Sequence, residues 1–168
     1  WLQTLAVVVL VLAAARPVLN AGDGPRHTIV LVDTTLAMQA LDVEPSRFEA
    51  AVATLRDAWA REQAGEVVSL VAVGTWARVE AARWQPGSEL ARRLERLRVS
   101  DGSPDWAGAA LRASVLARPS DETRVTVLTA PSNAAAARAA LEGSGFAASQ
   151  VSVAAFGGEP LNLGIGES

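Results

Sequence analysis

The stretch His27 to Arg47, HTIVLVDTTLAMQALDVEPSR, decides the fold. It opens with four consecutive apolar residues, Ile29 to Val32, rich in β-branched side chains. A short run of this kind bounded by turn residues reads as a strand buried on both faces. Asp33 ends that strand. In an open α/β sheet, a carboxylate at the carboxyl edge of a buried strand sits at the crevice where such sheets place their ligands. Thr34 and Thr35 follow with hydroxyl oxygens, and Pro45-Ser46-Arg47 then opens a helix. Strand, acidic-hydroxyl loop and helix predict one α/β unit against which the other elements pack.

Working outward, Phe48, Ala51, Val52, Leu55, Ala58 and Trp59 recur three and four apart, which predicts a helix with one face on the sheet. Arg47, Glu49, Arg56, Asp57 and Arg61 face outward, and Gly65 closes the helix. Val67 to Gly74 is a second buried strand. Thr75 to Trp84 alternates, which predicts an antiparallel hairpin partner at the sheet edge. A short helix from Glu89 to about Arg98 has Leu90, Leu94 and Leu97 as its inner row. Val99 to Asp105 is a second polar loop before a helix that begins at Trp106, and Asp101, Ser103 and Asp105 can each cap it. Thr123 to Thr129 is the next strand; Ser132-Asn133 cap an alanine-rich helix from Ala134 to Leu141, and Gln150 to Phe156 is the fifth strand. Strands alternating with helices imply right-handed crossovers and a Rossmann-like, mostly parallel sheet with helices on both faces.

The 168 residues carry a net charge of −3 and no cysteine, so thiolate zinc sites and a disulfide framework are excluded. Every basic residue is arginine. The densest basic cluster, Arg92, Arg93, Arg96 and Arg98, is interleaved with Glu89 and Glu95 and reads as a solvated helix face, so no nucleic-acid partner is expected. The only histidine, His27, stands at a strand entrance and is expected at the surface or sheet edge. There is no Ser-His-Asp set with a usable histidine, no phosphate-binding P-loop and no dinucleotide-binding glycine pattern. A phosphoaspartate reading of Asp33-Thr34-Thr35 lacks the lysine that such sites use, and no enzymatic activity is expected.

Trp1 to Ala15, WLQTLAVVVLVLAAA, carries no charge and stops at Arg16-Pro17. As a helix these residues span roughly 22 Å against about 30 Å of hydrocarbon. The stretch therefore reads as the remaining part of a truncated membrane helix, with a signal peptide or a buried core helix as the alternatives. The chain accordingly divides into a membrane helix over 1–17, a linker over 18–26, the α/β domain over 27–158 and the start of a following segment over 159–168.

The loop after the first strand resembles the metal-ion-dependent adhesion site of the von Willebrand factor type A (VWA) family, written D-x-S-x-S. Here it reads Asp33-Thr34-Thr35-Leu36-Ala37, which keeps the first ligand, has Thr35 as the second and lacks the third. Gly102-Ser103-Pro104-Asp105 with Ala110-Leu111 resembles the family's second motif without its threonine, and Ala130-Pro131 stands where the family has an aspartate. Ala15 to Pro17, Met38 and the run Asp42 to Ala51 are similar to the bacterial membrane-anchored Bat, or aerotolerance-related, proteins. The resemblance implies sheet order 3-2-1-4-5, a non-enzymatic protein-interaction module on the bacterial inner membrane, and partners such as other VWA proteins or a MoxR-class AAA+ ATPase. With so few oxygen ligands the adhesion site reads as degenerate, without a stable metal or other cofactor. The alternative is a weak or partner-completed Mg²⁺ or Mn²⁺ site using Asp33, Thr35 and Asp105. Recognition would then fall to the loop residues Asp33, Thr34, Thr35, Leu36, Met38, Asp42, Asp101, Ser103, Asp105 and Trp106, of which Leu36, Met38 and Trp106 could equally belong to the core.

Overall fold

A computed structural model describes residues 25–61 and 66–158. The expected membrane helix over 1–17, nearly all of the linker, the helix stop at Gly65 and the segment over 159–168 lie outside these residues. Strand β1 (Arg26–Asp33) is followed by a 3₁₀ turn (Leu36–Gln39) and α1 (Arg47–Arg61). Then come β2 (Glu66–Val73), β3 (Ala77–Trp84), α2 (Ser88–Glu95), α3 (Trp106–Leu116), β4 (Glu122–Thr129), α4 (Pro131–Gly143), a second 3₁₀ turn (Ala148–Gln150) and β5 (Val151–Ala155). The sheet order is β3-β2-β1-β4-β5, with β3 the antiparallel strand. Among the described residues, no helix is long and apolar enough to cross a membrane.

The apolar run of β1 is divided between two cores, as a central strand requires. Ile29 and Leu31 enter one cluster with Val71, Val127 and the inner faces of α3 and α4 (Ala109, Ala113, Leu141). Val30 and Val32 enter the other, with Ala51, Leu55 and Trp59 of α1 and Leu90 and Leu94 of α2. Each fully buried aliphatic side chain contributes about 1.5–3 kcal/mol. The seam of α1 is narrower than its sequence pattern suggests: the i, i+4 row of residues 51, 55 and 59 is buried, whereas Ala58 is exposed. Helix α2 ends at Glu95, and Leu97 reaches the core through a further turn closed by its N–H on Leu94 O at 3.1 Å.

Two expectations are corrected. Helix α4 starts at Pro131, with extended Ala130 before it, so Ser132 and Asn133 lie inside its first turn and do not cap it. Proline's fixed φ suits the first helical position, where its missing N–H costs nothing. His27 is fully buried. Strand β1 begins one residue before it, and the parallel register sets His27 between Val67 of β2 and Thr123 of β4.

The buried imidazole is hydrogen-bonded at both ring nitrogens. Its Nδ1 accepts from Arg83 Nη1 at 3.3 Å, so Nε2 carries the proton and donates to Ser69 Oγ at 2.8 Å. Arg83 occupies the left-handed region (φ 58°) where β3 bulges, which costs on the order of 1 kcal/mol and turns its guanidinium onto the buried carboxylate of Asp121. Burial lowers the His27 pKa from its ordinary 6.5; Arg83 and Arg118 lower it further and Asp121 opposes them. Between the folded value and 6.5 the unfolded chain binds the extra proton, so stability is complete above 6.5 and falls as pH drops below it. Thermal unfolding of the wild-type chain from pH 7.5 to 5.5 should show a melting temperature falling by a few degrees, with a flatter profile in His27→Gln; parallel profiles would refute this account.

Candidate functional site

Asp33 closes β1 with its side chain fully buried. Its Oδ1 accepts from the Thr35 backbone N–H at 2.9 Å and from Thr35 Oγ1 at 2.7 Å. Its Oδ2 accepts from Thr129 Oγ1 at 2.5 Å and from Asn133 Nδ2 at 2.9 Å. An ionised carboxylate has about four lone-pair positions, and all four are filled by neutral donors. The fold brings them together: β4 pairs with β1 through Val32↔Leu128, so Thr129 comes level with Asp33, and α4 starting at Pro131 sets Asn133 in its first turn. Burying a carboxylate this completely is costly unless its oxygens are hydrogen-bonded, and here they are.

As arranged, these residues do not fit an octahedral Mg²⁺ or Mn²⁺, which needs oxygen lone pairs directed at one point. The Thr35 hydroxyl is turned to Asp33, and Ala37 and Ala130 carry no side-chain oxygen. Asp105 is occupied elsewhere: it caps α3 by accepting Gly108 N–H at 2.8 Å and reaches β3 at Ala77 N–H, 3.3 Å. No group of three or more histidine, aspartate or glutamate side chains suited to a metal occurs among the described residues. In the sequence Thr129 reads only as a strand residue and Asn133 as a helix cap. The parallel neighbour of β1 must end level with Asp33, and a hydroxyl at that end was the available clue.

The other loop residues separate by burial. Thr34 is 3% exposed and its backbone laces three segments: it donates to Val73 O at 2.9 Å and accepts from Ser100 N–H at 2.6 Å. Thr35 and Ser100 form a short parallel bridge, Asp105 N–H reaches Gly74 O at 2.8 Å, and Thr75 Oγ1 donates to Asp101 O at 2.6 Å. Gly74 is dictated by this crossing, since a Cβ there would lie 2.4 Å from Ser100 Oγ. Met38 is fully buried beneath α1 and Trp106 is buried beside Val73 and Ala77, so both are core residues. A 3₁₀ turn directly after Thr35 rolls Met38 inward. Leu36 stays half exposed, and Asp101 and Ser103 are exposed. Leu41 and Trp76, which the sequence did not single out, are exposed on the same loop edge.

Asp42 is a strut. Its carboxylate receives Arg47 Nε at 2.7 Å and Nη2 at 2.6 Å, and accepts Gly158 N–H at 3.2 Å. The hydrogen bonds from Arg47 hold its pKa down at about 2. Arg47 also donates to Ala37 O at 3.1 Å, which ties the loop after β1 to α1 and to the chain leaving β5. Gly157 makes this possible: it sits at φ +101°, and a Cβ there would come within 2.1 Å of Arg47 Nε.

Removing the carboxylate of Asp33 strands four donors, so Asp33→Ala should lose on the order of 3 kcal/mol or more in urea unfolding. Thr129→Val and Asn133→Ala should each lose about 1–2 kcal/mol. A loss below about 1 kcal/mol for Asp33→Ala would show that the donors are satisfied without it.

No protein-family model and no curated protein sequence matches this chain. Solved structures do. The BatB protein of Bacteroides thetaiotaomicron superposes with TM-score 0.61 at 20% identity, over 79% of this chain and 66% of that one. An aerotolerance-related membrane protein of Bacteroides fragilis superposes with TM-score 0.63 at 21% identity, over 78% and 67%. The VWA domain of SpRpn10 gives TM-score 0.60 at 13% identity, over 82% and 90%. This chain thus spans about two thirds of the length of the two Bacteroides chains. The α/β sheet with Asp33 at its carboxyl edge has the von Willebrand factor type A fold.

Proposed function

We propose that this chain is the interaction domain of a membrane-anchored, Bat-type protein, which binds a protein partner on the loop edge around Leu36, Leu41, Asp101 and Trp76 without catalysis and without a stably bound metal. The observation that carries the reading is the saturation of the Asp33 carboxylate by Thr35, Thr129 and Asn133. In a metal-dependent adhesion site that carboxylate must offer lone pairs to the ion; here its lone pairs stabilise the domain. The fold shared with BatB and with an aerotolerance-related membrane protein supports placing the chain at a membrane, and the Bat resemblance implies the bacterial inner membrane and an interaction role. The anchor is the uncharged stretch Trp1 to Ala15 with its stop at Arg16. Partners of the kind that resemblance implies are other VWA proteins and a MoxR-class AAA+ ATPase. A non-enzymatic role is supported by the placement of the single histidine, buried in β1 against Ser69 and Arg83, away from the loop edge.

Photo-crosslinking in the source cells tests the reading. A benzoyl-phenylalanine placed at Leu36, Leu41 or Trp76 should give a discrete adduct with a protein partner, whereas the same group at Ala147, beside the opposite end of the sheet, should not. The adducts should persist in excess EDTA, and calorimetric titration of Mg²⁺ or Mn²⁺ to millimolar concentration should give no saturable heat. Loss of the adducts on chelation, with saturable metal binding, would instead establish a metal-dependent adhesion domain using Asp33 and Thr35.

A further inference from the structure

Beside the closed Asp33 cluster, the same sheet edge has an open recess of about 290 Å³ on the β2 side. Its walls include Thr34, Gly74, Trp76, Arg78, Arg98 and Ser100. We infer that this recess receives a carboxylate side chain of the protein partner, with Arg98 as its counter-ion. The inference rests on the interaction reading above and names the chemistry that the loop edge recognises.

Three observations carry it. First, the recess contains an unused hydroxyl. Thr34 is 3% exposed and lines the recess, yet its Oγ1 has no hydrogen-bond partner among the described residues; only its backbone groups are engaged. The hydroxyl is not shut off from solvent, so it is an accessible donor for an oxygen entering the recess. Second, the recess holds an unneutralised guanidinium. Arg78 is paired with Glu80 at 2.7 Å, whereas Arg98 donates only to the main-chain carbonyls of Glu95 and Leu97, both at 3.2 Å, and pairs with no carboxylate among the described residues. Asp101 lines the same recess without forming an ion pair with Arg98, so the fork of Arg98 remains available for a bidentate carboxylate.

Third, size and rim choose a protein over a metabolite. The volume falls at the foot of the roughly 300–1,000 Å³ range of small-molecule sites, enough for one side chain. Trp76, 67% exposed, forms part of the wall, and Leu36 and Leu41 stand exposed on the same edge at 52% and 78%. Tryptophan and arginine around a recess are the residue types that dominate protein interfaces. The recess is also preformed, because Gly74 is packed against Ser100 Oγ and the loops are laced by main-chain bonds, which lowers the ordering cost of binding. The occupant is therefore a glutamate or aspartate flanked by apolar residues on a partner loop.

The full chain, isotopically labelled, is titrated with a capped pentapeptide bearing glutamate at its centre and leucine on either side. The Trp76 indole and Ser100 amide resonances should shift saturably. The glutamine counterpart should bind about tenfold more weakly or worse, since a charge-assisted hydrogen bond is lost. Arg98→Glu, an exposed substitution, should abolish the response, and Arg98→Gln should weaken it to the level of the glutamine peptide. Equal binding of both peptides, no saturable shift at millimolar peptide, or an unchanged response in Arg98→Glu overturns the inference. Free glutarate binding as tightly as the peptide overturns the assignment to a protein. In the crosslinking assay, adducts at Leu36 that survive Arg98→Glu overturn this inference and leave the interaction reading standing. Their absence from the wild-type chain overturns that reading, while the peptide titration still decides the recess.

Discussion

A carboxylate shut away from water at the end of a central strand has to be met by hydrogen-bond donors, and much of the loop edge follows from that requirement. Asp33 takes two donors from its own loop and two from elements about a hundred residues further along the chain. To deliver them, β4 must lie parallel beside β1 in the register that brings Thr129 level, and α4 must begin immediately so that Asn133 falls in its first turn. The Thr35 contacts turn the loop back, and the 3₁₀ turn that follows sends Met38 into the core beneath α1. One buried charge thereby couples strand order, helix start and loop course.

The VWA adhesion pattern and the Asp33 loop of this chain differ in their side-chain oxygens. Where a VWA adhesion site surrounds its cation with oxygen ligands, this chain has Ala37 and Ala130 in two of the matching positions and surrounds the aspartate with hydroxyl and amide donors. The Asp33 carboxylate is stabilised by these neutral dipoles, and the helices pack on both faces of the β1–β2–β4 centre.

The two ends of the sheet divide the labour. At the amino end of β1, His27, Ser69, Arg83 and Asp121 form a buried polar cluster joined by hydrogen bonds. At the carboxyl end the β4 side is closed by Asp33 and its donors. The β2 side remains open, with Thr34, Arg98 and Trp76 among the residues that line its recess. Closure on one side gives the other a rigid frame, because both depend on the consecutive residues Asp33 and Thr34.

The strand and helix identities, the hairpin edge strand and the alternation that makes the sheet mostly parallel are written locally. Ile29 to Val32 is apolar throughout because both faces of β1 are covered, and Leu90 and Leu94 recur at four because α2 has one covered face. The VWA-like order of the strands was legible through the motif at Asp33. Tertiary structure alone decided the rest. Thr129 and Asn133 meet Asp33 across separations of 96 and 100 residues, and nothing in the sequence near Asp33 carries that information. His27 reads as an edge residue until both neighbouring strands flank it, and Asp42 reads as a loop acid until Arg47 and Gly158 close on it. Periodicity reports which face of an element is covered; which donor satisfies a given buried charge depends on register and on where helices start, and those exist only once the chain has packed.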